Sequence, residues 1–161
     1  MGPRPPRAEA LTGHPSQVTV SGELQAFIAR HRVARLATAA PDGRPHVIPI
    51  CFAFDGRAFY FALDDKPKQV DPRRLRRVRN IEANPQVALV IDEYHEDWGR
   101  LGYVLIQGVA AILEEGGEQE AALRLLEARY PQYQQMELVR RRRPVVRITP
   151  THVRAWGATG P

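Results

Sequence analysis

The sequence predicts a single α+β domain built round an antiparallel β-barrel, and three observations carry that reading. The chain has 161 residues, 43% hydrophobic and 25% charged. That is enough for one core of ordinary size and too balanced for a disordered chain. Helical and strand-like stretches alternate in the order α, three β, α, two β, α, two β, with no internal repeat. Two of the strand-like stretches are apolar on both faces and follow one another through tight turns. An antiparallel meander accommodates this only by closing on itself or by stacking a second layer.

Each element has a local reason. Residues 1–20 carry four prolines and two glycines and read as a flexible N-terminal arm, leaving 21–161 as the folded domain. Ser21 caps a helix to about His31, whose Leu24, Phe27 and Ile28 share one face. Val33–Ala39, His46–Phe54 and Arg57–Leu63 read as strands. Pro41-Asp42-Gly43 and Asp55-Gly56 join them, because glycine accepts the positive φ of a tight turn. Asp71 as N-cap and Pro72 at the first helical position open a second helix. Leu75, Val78 and Ile81 form its apolar stripe, and Arg73, Arg76, Arg77 and Asn80 project from the other side. Asn84-Pro85 ends it. Gln86–Asp92 and Tyr103–Leu113 follow as strands round an acidic loop. Glu118–Tyr130 reads as a helix with Ala122, Leu125, Leu126 and Arg129 on its inner face. Val145–Ile148 and His152–Trp156 close the sheet around Thr149-Pro150.

Several classes of protein are excluded or disfavoured. The longest apolar run, Val47 to Phe54, is too short to span a bilayer, and no secretory leader pattern opens the sequence. The lone Cys51 cannot form an internal disulfide, so a cytoplasmic location is the expectation. The sequence holds no nucleophile elbow, Walker loop or dinucleotide fingerprint. Its five histidines (14, 31, 46, 95 and 152) lack paired metal-ligand spacing. Asp92, Glu93, His95 and Asp97 lack the regular alternation of a hard-metal loop. Neither a metal ligand nor a catalytic acid or base is named.

What remains is anion binding. Lys+Arg number 23 against 18 Asp+Glu, a formal net charge of +5. Between Lys66 and Arg79 lie seven basic residues and one acid, Asp71, a local excess of +6 that surpasses that of the whole chain. Lys66 and Lys68 stand between a strand end and a helix N-terminus, where free N–H groups and the helix dipole favour phosphate. Arginines one turn apart add forked donors. Pro49 inside a good strand implies an edge or a bulge, and Gly108 implies close backbone approach. A phosphate clamp on a barrel wall is the reading from the residues. A nucleic-acid module using Arg73–Arg79 and Arg140–Arg143 competes with it, but aromatic residues are not interleaved with the arginines to form a stacking platform.

Val33–Thr38, Asp42-Gly43-Arg44-Pro45-His46-Val47, Lys66-Pro67-Lys68 and the run Leu75 to Val87 resemble the pyridoxamine 5′-phosphate oxidase-like split β-barrel superfamily. Within it they are most similar to the branch of coenzyme F420-dependent flavin/deazaflavin oxidoreductases. Asp97-Trp98, Gly99-Arg100-Leu101, Gly108 before Ala110, and Pro150-Thr151-His152-Val153 with Trp156 extend the resemblance over Glu23 to Trp156. It implies a split β-barrel homodimer with FMN or the deazaflavin coenzyme at the subunit interface. It also implies that Val47, Ile48 and Pro49 run along the tricyclic ring and that Ala62 and Leu63 sit near the ring–phosphate junction. Lys66, Lys68 and Arg77, with Arg73 and Arg76, would meet the phosphate or acidic tail, and Trp98 of the partner's loop would contact ring or substrate.

The tail Val153-Arg154-Ala155-Trp156 lacks the Arg/His-rich ending that grips substrate phosphate in true pyridoxamine phosphate oxidases, so vitamin B6 oxidation is not expected. The local +6 exceeds what one phosphate needs, which favours the polyanionic F420 over FMN. The implied activity is hydride transfer to a small unsaturated or carbonyl-type substrate, without a membrane and without nucleic acid. An FMN-binding relative without B6 oxidase activity is the alternative within the family.

Overall fold

The computed structural model describes residues 18–63 and 71–159. It contains α1 (Gly22–Arg30), β1 (Val33–Ala39), β2 (Pro45–Cys51), β3 (Ala53–Phe54), β4 (Phe59–Ala62), α2 (Arg76–Ala83), β5 (Gln86–Glu93), β6 (Gly102–Leu113), α3 (Gly117–Arg129), α4 (Pro131–Gln135) and β7 (Val145–Gly157). The strands form one antiparallel sheet in the order β2-β1-β5-β6-β7-β4-β3. The sheet curls until β2 approaches β4. Among the described residues, no helix is long and apolar enough to cross a membrane.

Alternation builds the barrel interior. Ala34, Leu36 and Thr38 of β1 point inward, as do Val87, Leu89 and Ile91 of β5 and Val104 and Ile106 of β6. Phe27 and Ile28 of α1 close one end, on a helix whose Leu24 N–H donates to Ser21 Oγ at 3.4 Å. Val20, at the end of the arm read from the sequence, packs into this core. Residues 1–17 lie outside the described part.

A second cluster lies outside the barrel, where α3, α4 and the turn after it cover β4 with Leu123, Leu126, Tyr133 and Leu138. All four residues of β4 are therefore buried, Phe59 and Phe61 in the barrel, Tyr60 and Ala62 under the helices. The expectation of a strand covered on both faces holds for β4. It fails for β2, where Val47 is 59% exposed and Pro49 is exposed too.

Other departures have identifiable causes. The run read as one strand from His46 to Phe54 breaks at Phe52, whose backbone is taken by a side chain. The Tyr130 hydroxyl accepts from the Phe52 N–H at 3.0 Å and lies 2.7 Å from the carbonyl oxygens of both Phe52 and Arg32. Tyr130→Phe should cost about 1–3 kcal/mol, because it leaves these buried backbone groups unmatched. Urea titration would show a lower midpoint at unchanged slope.

The α3 stripe uses Leu123 where Leu125 was expected, and Leu125 is exposed. Gln119 is buried on the same helix, its Nε2 donating to the carbonyls of Arg142 and Arg143. The two expected closing strands are one, because Pro150 stands opposite Gly108 at a register shift and its missing N–H breaks no rung.

Tyr60 carries a pH-dependent contribution to stability. Its hydroxyl lies 3.2 Å from Asp55 Oδ2 and 3.1 Å from Glu118 Oε1. Burial, then the Asp55 charge, then the bond to Glu118 hold the phenol above its ordinary value of 10. The neutral form is therefore favoured in the fold. Its contribution is complete below about pH 10 and falls by up to about 1.4 kcal/mol per pH unit above it, as the unfolded chain ionises first. In Tyr60→Phe this alkaline slope should disappear from pH-dependent unfolding curves.

Candidate cofactor site

Edge strand β2 has β1 as its ladder neighbour, with Val47 opposite Ala37 and Pro49 opposite Arg35. Alternate residues of a strand direct N–H and C=O to opposite sides. Proline therefore fits at 49 where its nitrogen faces the unpaired side, and the backbone of Val47 faces that side with it. Ile48 turns inward onto the barrel core. The side chains of Ala62 and Leu63 are buried, and Leu63 N–H is fixed to the Pro144 carbonyl at 2.9 Å. These two residues can offer a ligand their backbone, not their side chains.

The basic helix is placed by its apolar stripe and one buried hydrogen bond. Leu75, Val78 and Ile81 pack on the barrel as the sequence predicts. Asn80 does not project with the arginines. It is 4% exposed and its Nδ2 donates to Thr38 Oγ1 at 2.9 Å. Thr38 is opposite His46, so this bond packs α2 against the inward side of β1 at the rung next to Ala37 and Val47.

The helix also starts later than expected. Asp71 caps a 3₁₀ turn, Pro72–Arg74, by accepting from Arg73 N–H at 3.0 Å. The α-helix begins only after Leu75, whose side chain is needed in the core. Arg76 is exposed and Arg77 half-buried. Arg73 points away to Glu114 at 2.7 Å, and the bond to that carboxylate raises its pKa further. Lys66 and Lys68 fall outside the described residues.

A cleft of about 520 Å³ on the other side of α2 is lined by Glu82, Glu114 and Glu115 together with Ile81 and Ala110–Leu113. Its acidity unsuits it for phosphate. Trp98 is not part of the assembly within one chain. It lies in a 3₁₀ turn after the far end of β5 and is 74% exposed. The eight residues of β5, about 23 Å of extended strand, run between the end of α2 and the segment that leads to this turn. No sequence signal marked the residues that hold this wall, Asn80 and Thr38. A polar residue among arginines reads as solvent-facing until its partner is seen.

A single antiparallel sheet curled into a barrel, with few helices round it, defines a split-barrel protein. The family described as pyridoxamine 5′-phosphate oxidase matches residues 20–157, and the chain belongs to that family. It is 29% identical over 140 residues to a 5a,11a-dehydrotetracycline/5a,11a-dehydrooxytetracycline reductase of Streptomyces rimosus, covering 83% of this chain and 80% of that one. Among the solved structures that share the fold are two of different kinds. One, an F420 reductase, is 23% identical with a TM-score of 0.59, over 84% of this chain and 98% of the other. The second, the haem storage protein HutZ of Vibrio cholerae, is 18% identical with a TM-score of 0.65, over 87% and 95%.

Proposed function

We propose that this protein is a homodimeric oxidoreductase that uses coenzyme F420, or alternatively FMN, for hydride transfer to a small unsaturated or carbonyl-type substrate. The observation that carries the reading is the exposed edge at Val47–Pro49 on β2, together with an arginine-bearing α2 held to the neighbouring β1 by the Asn80–Thr38 bond. The residues fit a phosphorylated tricyclic cofactor. An exposed apolar strand edge suits a flat ring, and Arg76 and Arg77 at the same end suit its anionic tail.

Bound there, the cofactor would supply the hydride chemistry and the protein would supply position and dryness. The backbone of Val47, Ile48 and Pro49 would run along the ring, and that of Ala62 and Leu63 would line the junction to the tail. Lys66, Lys68, Arg76 and Arg77 would neutralise the tail, and Arg73 would join them only by leaving Glu114. Trp98 would reach the site of a second copy, excluding water above the ring.

The outward sheet face supports the homodimer. Val47, Ala37, Ala88, Val90 and Leu105 share it by register with Arg35 and Gln107, and the apolar part of such a face is favourably covered by a second copy. The reduction named for the Streptomyces relative supports an unsaturated substrate, and the sequence's surplus of cations supports the longer anion.

Parallel titration of the purified protein with F420, FMN and haem tests the proposal. F420 is expected to bind tightest, in the low micromolar range or below. Haem binding with no affinity for either flavin-type cofactor would overturn it.

A further inference from the structure

A groove of about 590 Å³ lies between α1, the β3–β4 turn and α3, a size that takes a few side chains. Buried Ile28 and Phe52 and half-buried Phe54 make its apolar floor, and exposed Ala26, Ala29 and Leu125 make its walls. Leu125, which the sequence places on the inner face of α3, is 39% exposed on this groove. A contiguous apolar surface that leaves such a side chain open marks a contact. None of the lining residues belongs to β1, β5 or β6, so the groove is separate from the sheet face given to the homodimer.

The chain itself arrives at this groove. Val20 is buried in the barrel core, and its carbonyl accepts from Gln25 Nε2 at 2.9 Å. Gln25 lines the groove. Val18, where the described structure begins, is two residues upstream and so at most about 7 Å from Val20. Seventeen residues precede it. Leu11 is seven residues before Val18, a reach of up to about 25 Å.

We propose that the segment Arg7–Leu11 of this chain docks in the groove, with Leu11 packed on Leu125 and with Arg7 and Glu9 facing Asp55 and Arg129. Arg7-Ala8-Glu9-Ala10-Leu11 brings one large and two small apolar side chains, a cation and an anion, without a proline. The groove is its counterpart, because Asp55 and Arg129 line it beside the apolar residues. Asp55 accepts from the N–H groups of Arg57 and Ala58 and from the Tyr60 hydroxyl. Arg129 donates to the carbonyls of Ala29 and His31 and to the Tyr130 hydroxyl. All of these partners are neutral, so the carboxylate and the guanidinium each still attract an opposite charge. The tether makes docking intramolecular, at millimolar effective concentration. Burial of one leucine then suffices where a free peptide of the same sequence would not hold.

The test removes the one native cysteine by Cys51→Ala and pairs Leu11→Cys with Leu125→Cys in the full chain. A disulfide forms only where two Cα atoms come within about 7 Å. Under mild oxidation this pair is expected to link within one chain about tenfold faster than a control pairing Leu11→Cys with Glu23→Cys. Glu23 is exposed on α1, nearer in sequence to the segment and outside the groove lining. In the otherwise native chain, Leu125→Asp is expected to speed tryptic cleavage between Arg7 and Ala8 about fivefold, since cleavage tracks the undocked population. A thermal melt within a few degrees of wild type establishes that this variant folds. Equal or faster linking of the Glu23 pair would overturn the docking, because an undocked segment meets the nearer site at least as often. So would a Leu125 pair linked between two chains, which would assign the groove to a second copy. Cleavage after Arg7 that Leu125→Asp leaves unchanged would overturn it as well.

Discussion

Replacing Arg77 with glutamate is expected to weaken coenzyme F420 binding about ten- to hundredfold. A charge-assisted contact to phosphate is worth about 1.5–3 kcal/mol, and charge reversal adds repulsion to its loss. Arg77 follows Leu75 and precedes Val78, both packed on the barrel, so its stem is positioned more firmly than that of exposed Arg76. Lys68→Ala should act in the same direction with a smaller effect. Arg73→Ala should change affinity little while Glu114 holds that guanidinium. Fluorescence titration measures the affinities, and a thermal melt within a few degrees of wild type establishes that the variants fold. Unchanged affinity in both Arg77→Glu and Lys68→Ala would take the cationic helix out of the cofactor site.

Gly108→Ala is expected to destabilise the fold by about 2–4 kcal/mol, a fall in melting temperature of about 5–15 °C. A Cβ at 108 would lie 2.5 Å from the Thr149 carbonyl oxygen and 3.0 Å from Ile148 Cγ2. The first of these atoms is backbone and cannot rotate aside. β6 and β7 would have to part at the register shift between Gln107 and Gly108, in the middle of the longest ladder in the sheet. Gly22→Ala provides the comparison, since nothing lies within 4 Å of a Cβ there. Its stability should stay within about 0.5 kcal/mol of wild type. Equal melting of the two variants would mean that the strands separate at no cost.

Elements whose pattern is local were legible before the fold was known. β1 coincides with the expected Val33–Ala39, because Ala34, Leu36 and Thr38 alternate with outward residues and a turn follows at once. Gly43 and Gly56 take the positive φ their turns demand. Asn84 ends α2 as the following proline requires. The misread elements depend on distant partners. Phe52 looks like any strand residue until Tyr130, 78 positions away, takes its N–H and C=O. Asp71-Pro72 is a good helix start in isolation, yet the core needs Leu75 at the point where the α-helix begins.

The candidate site was legible as chemistry and not as geometry. Proline at 49 and the arginines of 73–79 announce an open edge and an anion. Where α2 sits on β1 is fixed by the buried Asn80–Thr38 bond, which the sequence does not announce. Trp98 follows the opposite end of β5 from α2, a placement that spacing in sequence does not reveal.

Pro49 has one more consequence, for the protein before any cofactor arrives. An unpaired strand edge is a template on which a strand from another molecule can hydrogen-bond, the first step of edge-to-edge aggregation. Proline withdraws one of the donors such a strand would need and bulges its ring into the approach. The edge thus stays open to a small flat molecule while resisting extension by another polypeptide. Pro49→Val restores that donor and a strong β-former, so the cofactor-free variant should aggregate faster than wild type, as light scattering at equal concentration would show.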